Sequence, residues 1–394
     1  MQTVEISQSP RVKEFLQNPF DFYTKIRLSG PLVKWQDLGL MVTADYSIVN
    51  KILRDRNFVR EPPNGFYCQV PKKMFPFYEN ESNSMLEREP PTHTRLKSAA
   101  LADFSKANLK RFEPKIKEIC YKTLTQIKKG QFDLTQEFSR KFPVLVISRL
   151  LGVPEEMAPQ LVKWSNSMVA MYQSRRTKKI EDTALKATVD FSKYARKLIE
   201  IRRKTKGDDV ISHLLLSDLK GEKLSEKELV STIILLLNAG HEATVHTISN
   251  GVKALIESGC NNQVILKCSK RVVEEILRFS TPLHLFRRYS AKERIIGDHT
   301  IKKGEEIGLL LAAGNRDPKH FVLPEIFDPL IKRKPNLSLG AGVHFCLGAQ
   351  LARLELEIAI KGIFELFPSI RITDQPEYAD TYHFHSLKRL TVEI

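Results

Sequence analysis

Apolar residues recur at helical spacing along most of the chain. The pattern predicts helices over residues 12–29, 44–54, 92–120, 142–151, 155–203, 225–257 and 267–279, with two helices inside 155–203. The longest helix begins with Ser225 and Glu228 at the spacing of a capping box, in which each side chain accepts a hydrogen bond from the other residue's backbone amide. Helix therefore dominates the predicted structure.

Short strands are predicted near both ends of the chain. Residues 32–43 alternate around Asp37-Leu38-Gly39, which is typical of a β-hairpin. Further strands are predicted over residues 283–289, 295–296, 307–311, 369–373 and 387–394. Residues 58–91 hold prolines and aromatic residues without a period and predict a long loop. We find no repeat or linker, and we expect one mainly α-helical domain over residues 1–394 with a small β-rich subdomain.

Composition indicates a globular protein in a reducing compartment. Hydrophobic residues make up 42% of the 394 residues and charged residues 27%. The five cysteines contain no Cys-x-x-Cys pair, which argues against a zinc site or a disulfide framework; they are Cys68, Cys120, Cys260, Cys268 and Cys346. Residues 1–13 do not resemble a signal peptide, and the apolar run 233–237 is too short to span a bilayer. We therefore expect a cytoplasmic protein without a membrane anchor.

The chain is strongly basic, with a formal net charge of +16. Nucleic-acid binding would explain this charge, but the Lys and Arg residues are spread along the chain rather than clustered with aromatic residues. We therefore expect no nucleic-acid partner. Two explanations stay open, namely solvated helix faces and an acidic partner protein.

A single cysteine among glycines is the strongest candidate for chemistry. Residues 339–348 read Leu-Gly-Ala-Gly-Val-His-Phe-Cys-Leu-Gly, and a helical pattern follows them. Exposed amides at a helix N-terminus favour a thiolate on Cys346, and Gly348 leaves room for a flat ligand. A thiolate with such space suggests an axial ligand to haem iron. A buried structural cysteine and a redox thiol are the alternatives.

This stretch resembles the haem-binding loop of the cytochrome P450 family, Phe-Gly-x-Gly-x-His/Arg-x-Cys-x-Gly, and departs from it only at Leu339. The resemblance implies the P450 fold, of the soluble bacterial or archaeal type. It also implies haem b, with Cys346 as the iron ligand and Gly340 and Gly348 beside the cofactor. We expect Leu339 to change the redox potential or the haem retention modestly.

The longest predicted helix holds a second motif, Ala239-Gly240-His241-Glu242-Ala243-Thr244. Gly240 removes a side chain, so a group can lie against the helix there, and the Thr244 hydroxyl can bond back to the Gly240 carbonyl. The segment is also consistent with an ordinary helix–helix contact. It resembles the P450 oxygen-activation motif, Ala-Gly-x-Glu/Asp-Thr-Thr. By that resemblance Gly240 lies beside the haem, Thr244 hydrogen-bonds dioxygen and Glu242 relays protons.

Glu275 and Arg278 stand three residues apart, as in the family's Glu-x-x-Arg motif, although this spacing also occurs in ordinary surface ion pairs. In the family this pair is structural and takes a third member from the segment before the cysteine loop. We expect Arg333 in that position.

Haem carries two propionates, which need cationic donors around one rim. By resemblance those donors are His93 and Lys97 on one helix, Arg288 on a strand and His344 in the cysteine loop. Lys97 stands where the family often has arginine and lacks its bidentate geometry.

Together these motifs imply a haem-thiolate monooxygenase that hydroxylates a lipophilic molecule with O2. Its electrons would come from an acidic ferredoxin or flavodoxin, since the chain has no flavin or iron–sulfur motif. Eight basic residues are expected near the cysteine side, namely Arg95, Lys97, Lys106, Arg111, Lys332, Arg333, Lys334 and Arg353. The expected pocket residues are Phe66, Phe77, Leu236, Ala239, Leu283, Leu285 and Phe384. A peroxide-dependent peroxygenase and a non-catalytic haem sensor or carrier are the alternatives, and the Glu242–Thr244 pair argues against both.

Overall fold

The computed structural model describes residues 4–66, 69–173, 176–219 and 221–394. Cys68 therefore lies outside the described residues. The described helices are α1 Lys13–Gln17, α2 Phe20–Ser29, α3 Tyr46–Arg54, α4 Phe75–Ser82, α5 Thr92–Leu101, α6 Lys106–Thr125, α7 Phe142–Leu151, α8 Ala158–Val169, α9 Lys178–Lys204, α10 Val210–Leu216, α11 Glu226–Glu257, α12 Asn262–Lys267, α13 Ser269–Phe279, α14 Leu311–Gly314 and α15 Ala349–Leu366. A π-helical turn spans Thr135–Ser139.

The strands are short. They are β1 Glu5–Ile6, β2 Val33–Trp35, β3 Leu40–Thr43, β4 Phe58–Val59, β5 Gln131–Asp133, β6 Leu285–Ser290, β7 Arg294–Ile296, β8 His299–Ile301, β9 Glu306–Leu310, β10 Arg371–Ile372, β11 Glu377–Tyr378, β12 Leu387–Arg389 and β13 Thr391–Glu393. The largest sheet has the order β1-β2-β3-β9-β6-β4, so it joins strands from the beginning of the chain to strands from its last third. The expected mainly α-helical fold with a small β-rich part is confirmed.

Helix α11 lies at the centre of the helical part. It is 32 residues long and begins with the predicted capping box, in which the Ser225 amide donates to Glu228 at 2.8 Å. It packs against α7, α8, α9, α13 and α15, and the core that forms around it is the largest hydrophobic cluster of the described residues. The helix therefore connects the layers of the molecule, and most of its residues are buried.

Several predicted boundaries are wrong for local reasons. The helix predicted over 12–29 is two helices, because Pro19 precedes α2 and cannot donate within a continuous helix. The helix predicted over 92–120 also divides, and Ser105 caps the second part by accepting from the Asn108 amide. The region 58–91, predicted as a loop, contains β4 and α4.

Candidate active site

The cysteine loop is folded by its own backbone. The Cys346 amide donates to the Leu339 carbonyl at 3.0 Å, and Gly340 and Gly342 both have a φ of +71°. A Cβ at Gly342 would lie 2.1 Å from the Leu53 carbonyl oxygen of α3. Glycine is therefore required where the loop meets that helix, whereas a Cβ at Gly340 would have ordinary contacts.

Cys346 lies three residues before α15 and is half-buried. Burial raises the pKa of its thiol, and a hydrogen bond from the Gly348 amide and the charges of Lys97 and Arg353 only partly oppose this rise. The Gly348 amide near the helix N-terminus favours the thiolate as expected, but desolvation has the larger effect on the pKa of Cys346. A bound metal ion would be needed to hold Cys346 deprotonated.

Space for a flat group exists beside this sulfur. No atom lies within 4 Å of a Cβ built on Gly348, and Phe345 is 40% exposed although it belongs to a loop packed on two helices. The predicted role of Gly348, to leave room for a planar cofactor, is consistent with this geometry.

One face of α11 is open. Ala239 is exposed in the middle of this buried helix. Leu235 lies four residues before it, Ala243 four residues after it and His246 three residues further on, and all three are partly exposed. Such spacing places them along a single helix face. Small apolar residues thus line the open side, where a large ligand can approach.

Two predictions about this helix are corrected. The space beside Gly240 is taken by α7, because a Cβ there would lie 2.6 Å from the Ile147 side chain. Gly240 therefore serves helix packing rather than a cofactor. Thr244 follows Ala243 in the sequence and is buried, away from the open face. Among the hydrogen bonds of the described residues, its hydroxyl does not donate to the Gly240 carbonyl. The hydroxyl that bonds back along this turn belongs to Thr247, which donates to the Ala243 carbonyl at 2.7 Å.

Glu242 is buried between α11 and α8. The hydroxyl of Ser165, itself fully buried on α8, donates to the Glu242 carboxylate at 3.0 Å. His241 and His246 place their Nε2 atoms 3.6 and 3.8 Å from its two oxygens. A carboxylate with hydrogen-bonding neighbours on both sides can accept and pass on a proton.

A set of donors suited to carboxylates lies around Arg288 and His93. Arg288 is 2% exposed, and its guanidinium donates to the Arg287 carbonyl at 2.8 Å. Among the described residues Arg288 makes no ion pair with a carboxylate. Burial and the nearby Arg60 lower its pKa to about 9, against the opposing effect of Glu89. An anionic group placed here would therefore be strongly stabilised.

The two predicted histidines lie together. The His93 and His344 rings are 4.4 Å apart, and His344 Nε2 is 3.0 Å from Glu89. Burial, together with the charge of His344, lowers the pKa of His93 to about 4, and its buried Nδ1 has no partner. The orphaned nitrogen and the buried arginine are features that two haem propionates would satisfy.

Lys97 is placed differently from the other donors. Its ammonium donates to the carbonyls of Val343 and Phe345 at 2.9 and 2.7 Å, so it holds the cysteine loop from α5. The prediction that it binds a propionate is not supported by this geometry. Its position explains instead why Lys97 lowers the pKa of Cys346.

Glu275, Arg278 and Arg333 lie together beneath the loop. Arg278 donates twice to the Glu275 carboxylate at 2.8 Å, and Arg333 reaches the same oxygens at 3.1 and 3.2 Å. Both arginines also donate to the Ile326 carbonyl. The buried carboxylate therefore joins α13 to the irregular segment that precedes the cysteine loop.

The predicted pocket residues separate into two groups. Leu283 forms a β-bridge with Phe384, whose ring lies 5.3 Å from that of His246 on the open face of α11. Ala239 lies on the same face of α11 as His246. In contrast, Phe77 and Leu236 are buried in the main core.

Two pocket predictions are wrong. Leu285 lies in the hydrophobic cluster that contains Trp35, where it packs over Gly308 of β9. Phe66 is 46% exposed and packs on Gly304. The Gly304 amide bonds to Ser290 at the far end of β6, roughly 23 Å from Leu283 at about 3.3 Å per residue.

The sequence did not indicate a polar cluster near Phe384. The Tyr172 hydroxyl, at the end of the turn after α8, donates to Glu81 of α4, and the Tyr172 ring lies 5.5 Å from His383. Burial and the nearby Glu87 raise the pKa of Glu81 to about 7. These residues come from distant segments without a shared motif, so no sequence signal could have revealed the cluster.

Glu355 was also missed. It lies on α15 and is fully buried, and within the described residues neither carboxyl oxygen has a hydrogen-bond partner. Burial raises its pKa well above the usual value of a carboxyl group. Its position between Leu354 and Leu356 in an apolar helix was a usable signal.

Known proteins are similar to this chain in both sequence and fold. The sequence model described as "Cytochrome P450" matches residues 10–258 and 263–383. The "Biotin biosynthesis cytochrome P450" of Bacillus subtilis (strain 168) is 34% identical over 98% of this chain and 99% of its own length. The "Vitamin D(3) 25-hydroxylase" of Pseudonocardia autotrophica is 32% identical over 96% of this chain and 94% of its own.

A similar solved structure is that of P450BioI in complex with hexadec-9Z-enoic acid ligated acyl carrier protein. It has a TM-score of 0.90 and 32% identity, and the match covers 97% of this chain and all of that one. CYP109E1 from Bacillus megaterium in complex with testosterone has a TM-score of 0.87 and 27% identity, over 97% of this chain and 99% of that one. With Cys346, the donors around Arg288 and the Glu275 network in place, the chain belongs to the cytochrome P450 family and is a haem b monooxygenase.

Proposed function

We propose that this P450 hydroxylates a lipophilic small molecule, using O2 and electrons from a separate donor protein. The observation that carries the proposal is the open face of α11, where Ala239 is exposed and Ala243 partly exposed. The Phe384 ring lies 5.3 Å from His246 on this face, and Glu242 is buried on the same helix. An apolar space beside an acid suits a substrate that lacks charge at its reacting carbon.

Each part of the site has a separate task in this proposal. Cys346 would ligate the haem iron, while Arg288, His93 and His344 would hold the propionates. When bound, the haem activates dioxygen, and the thiolate ligand favours cleavage of the O–O bond. Glu242 would supply protons, and Ala239 with Phe384 would hold the substrate in an apolar environment. Hydroxylation consumes O2, two electrons and two protons, and yields alcohol and water.

Similar proteins support a lipophilic substrate without identifying it. P450BioI is solved with a fatty acid linked to an acyl carrier protein, and CYP109E1 with testosterone. We therefore propose titrating the holoenzyme with fatty acids, a carrier-linked acyl chain, steroids and terpenoids. A shift of the Soret band as the substrate displaces water from the iron would identify the ligands.

Turnover in 18O2 tests the reaction itself. We expect the hydroxylated product to carry one 18O atom when NADH, a ferredoxin and its reductase are supplied. Product formed from H2O2 alone, at a rate that exceeds the electron-supported one, would instead indicate the peroxygenase. Ligand binding without product from either source would indicate a sensor or carrier.

Fewer basic residues are free to bind an electron donor than the sequence predicted. Arg95 pairs with Glu228, Arg333 with Glu275 and Arg353 with Glu274, and Lys97 holds the cysteine loop. The remaining four of the eight basic residues are exposed and form no ion pair within the described part of the chain; they are Lys106, Arg111, Lys332 and Lys334. We propose that these four attract an acidic ferredoxin or flavodoxin in the cytoplasm.

A further inference from the structure

We propose that His241 is a positioning residue that stores a proton for Glu242. Its ring is 2% exposed, and its Nδ1 lies 2.6 Å from the Leu237 carbonyl one turn earlier in α11. A carbonyl oxygen can only accept, so Nδ1 must carry hydrogen and donate. The Leu237 carbonyl thereby fixes the tautomer of the imidazole.

The fixed tautomer creates a conflict at the other ring nitrogen. In a neutral imidazole protonated on Nδ1, Nε2 bears a lone pair. This Nε2 is buried, has no hydrogen-bond partner among the described residues, and lies 3.6 Å from Oε1 of Glu242. Two buried lone pairs that face each other would be unfavourable, whereas one proton between them removes the conflict.

Ser165 supplies one hydrogen bond to Glu242. Its hydroxyl donates to Oε1, the same oxygen that faces His241, at 3.0 Å. An oxygen that already accepts one hydrogen bond suits a second donor, and we place the shared proton on His241 Nε2, beside a Glu242 carboxylate. The separation of 3.6 Å exceeds the usual N–H···O distance by about 0.5 Å, which a small side-chain rotation can close.

The other neighbours of Glu242 do not take over this role. His246 lies 3.8 Å from Oε2, but burial and the charge of Arg140 lower its pKa to about 3, so it stays neutral. His385 lowers that pKa further. Among the described residues, the only ion pairs of Glu242 are those with His241 and His246. His241 is thus the neighbour that can hold a proton.

The store would work in a balanced cycle. His241 transfers its Nε2 proton to the Glu242 carboxylate, which leaves both groups neutral. Glu242 then gives this proton to the oxygen being reduced and returns to its charged form, and solvent reprotonates His241. The catalytic consequence rests on the proposed function, whereas the shared proton does not.

The first test observes the proton directly. In holoenzyme reduced and saturated with carbon monoxide, labelled with 15N-histidine, we expect His241 to show both nitrogens protonated at pH 7. In Glu242→Gln we expect the neutral ring, protonated only on Nδ1, because the stabilising charge is gone. His241→Gln assigns the signal by its loss. An unprotonated Nε2 in the unmodified holoenzyme would overturn the proposal without reliance on any variant.

The second test measures proton delivery. With NADH, a ferredoxin and its reductase, we expect His241→Gln to slow oxygen consumption about a hundredfold, the lower end of the range for proton-transfer groups, and to raise the solvent isotope effect. His320→Gln, which changes a partly exposed ring stacked on Tyr46 and remote in sequence from His241, should leave both unchanged. An unaltered isotope effect in His241→Gln would refute the delivery role. If no protein turns over, the proposed function fails, and the NMR result still decides on the stored proton.

Discussion

Buried basic groups without a carboxylate partner among the described residues mark this site more clearly than its apolar residues do. Arg288 and His93 Nδ1 are both buried, and within the described residues neither has a carboxylate partner. Buried groups of this kind are costly unless a ligand satisfies them. The neighbouring Arg287 differs from Arg288, because it is exposed and its guanidinium lies 3.4 Å from the Glu306 carboxylate on the other face of β6.

This contrast gives a prediction with an internal control. We expect Arg288→Met to release haem about tenfold faster or more, because a charge-assisted hydrogen bond contributes about 1.5–3 kcal/mol and about 1.4 kcal/mol is a factor of ten. Transfer of haem to apomyoglobin measures the rate. Arg287→Met should retain haem as the unmodified protein does. Equal retention in the two variants would exclude Arg288 as a propionate donor.

The Glu81 carboxyl gives a prediction about pH. Burial and Glu87 raise its pKa to about 7, above the ordinary value of 4.5, so between these pH values the folded protein keeps a proton that the unfolded chain has lost. Stability attributable to this group should therefore fall as pH rises from about 4.5 to about 7. Glu81→Gln removes the effect, so its melting temperature relative to the unmodified protein should be higher at pH 8 than at pH 5.

Glu79→Gln is the matched control for this effect. Glu79 lies on the same helix and pairs with Lys227 at 2.6 Å. The difference in melting temperature between Glu79→Gln and the unmodified protein should be the same at pH 5 and at pH 8. A pH-independent difference for Glu81→Gln would show that Glu81 is ionised in the fold.

Motifs made some residues predictable and left others hidden. Arg333 could be placed near Glu275 because the motif order fixes which segment meets α13. The burial of Leu285 over Gly308 could not be predicted, because β6 and β9 come together only in the folded sheet. Tyr172 and Glu81 were hidden because their contact joins segments far apart in sequence.

At the scale of elements, α11 has different partners on different faces. Ala239 and Ala243 lie on the open face, Gly240 faces α7, and Glu242 contacts Ser165 of α8. Helical period predicted the helix and its capped start. It did not reveal which neighbour each face meets, because that depends on the packing of other helices. For the same reason Gly240 was assigned to the wrong partner.

Gly240 provides the test at this scale. A Cβ there would meet Ile147, and overpacking costs about 1–3 kcal/mol, while alanine favours a helix over glycine by about 1 kcal/mol. We expect Gly240→Ala to lower the free energy of unfolding by about 1 kcal/mol, measured in urea. In the Ile147→Ala background the same change should be neutral or stabilising. An additive double mutant would contradict the contact.

At the scale of the whole molecule, the basic charge of +16 acts at its surface. Ion pairs within the fold engage several of the basic residues near the cysteine loop, so the free positive charge there is concentrated on fewer positions than the sequence implies. Composition could predict an acidic partner but could not separate internal cations from free ones.

We expect Lys332→Glu with Lys334→Glu to slow reduction of the haem by an acidic ferredoxin about tenfold at low salt, since these charges steer the encounter. The difference should shrink in 0.5 M salt, where screening is strong. Stopped-flow reduction under carbon monoxide measures the rate. Lys193→Glu with Lys197→Glu, a pair of exposed lysines on α9, is the control. Equal slowing in both pairs would indicate a general effect of net charge.

The convergence of Arg278 and Arg333 on Glu275 has a consequence for the genetics of this protein. Two arginines, one three residues from Glu275 and one far along the chain, depend on the same buried carboxylate. A substitution at any of the three positions therefore removes much of what the other two contribute. In a saturation screen they should behave as one epistatic group, in which double substitutions are little worse than the most harmful single one. Compensation should then arise only by exchanging the members together, and this limits the mutational routes by which the segment beneath the cysteine loop can diverge.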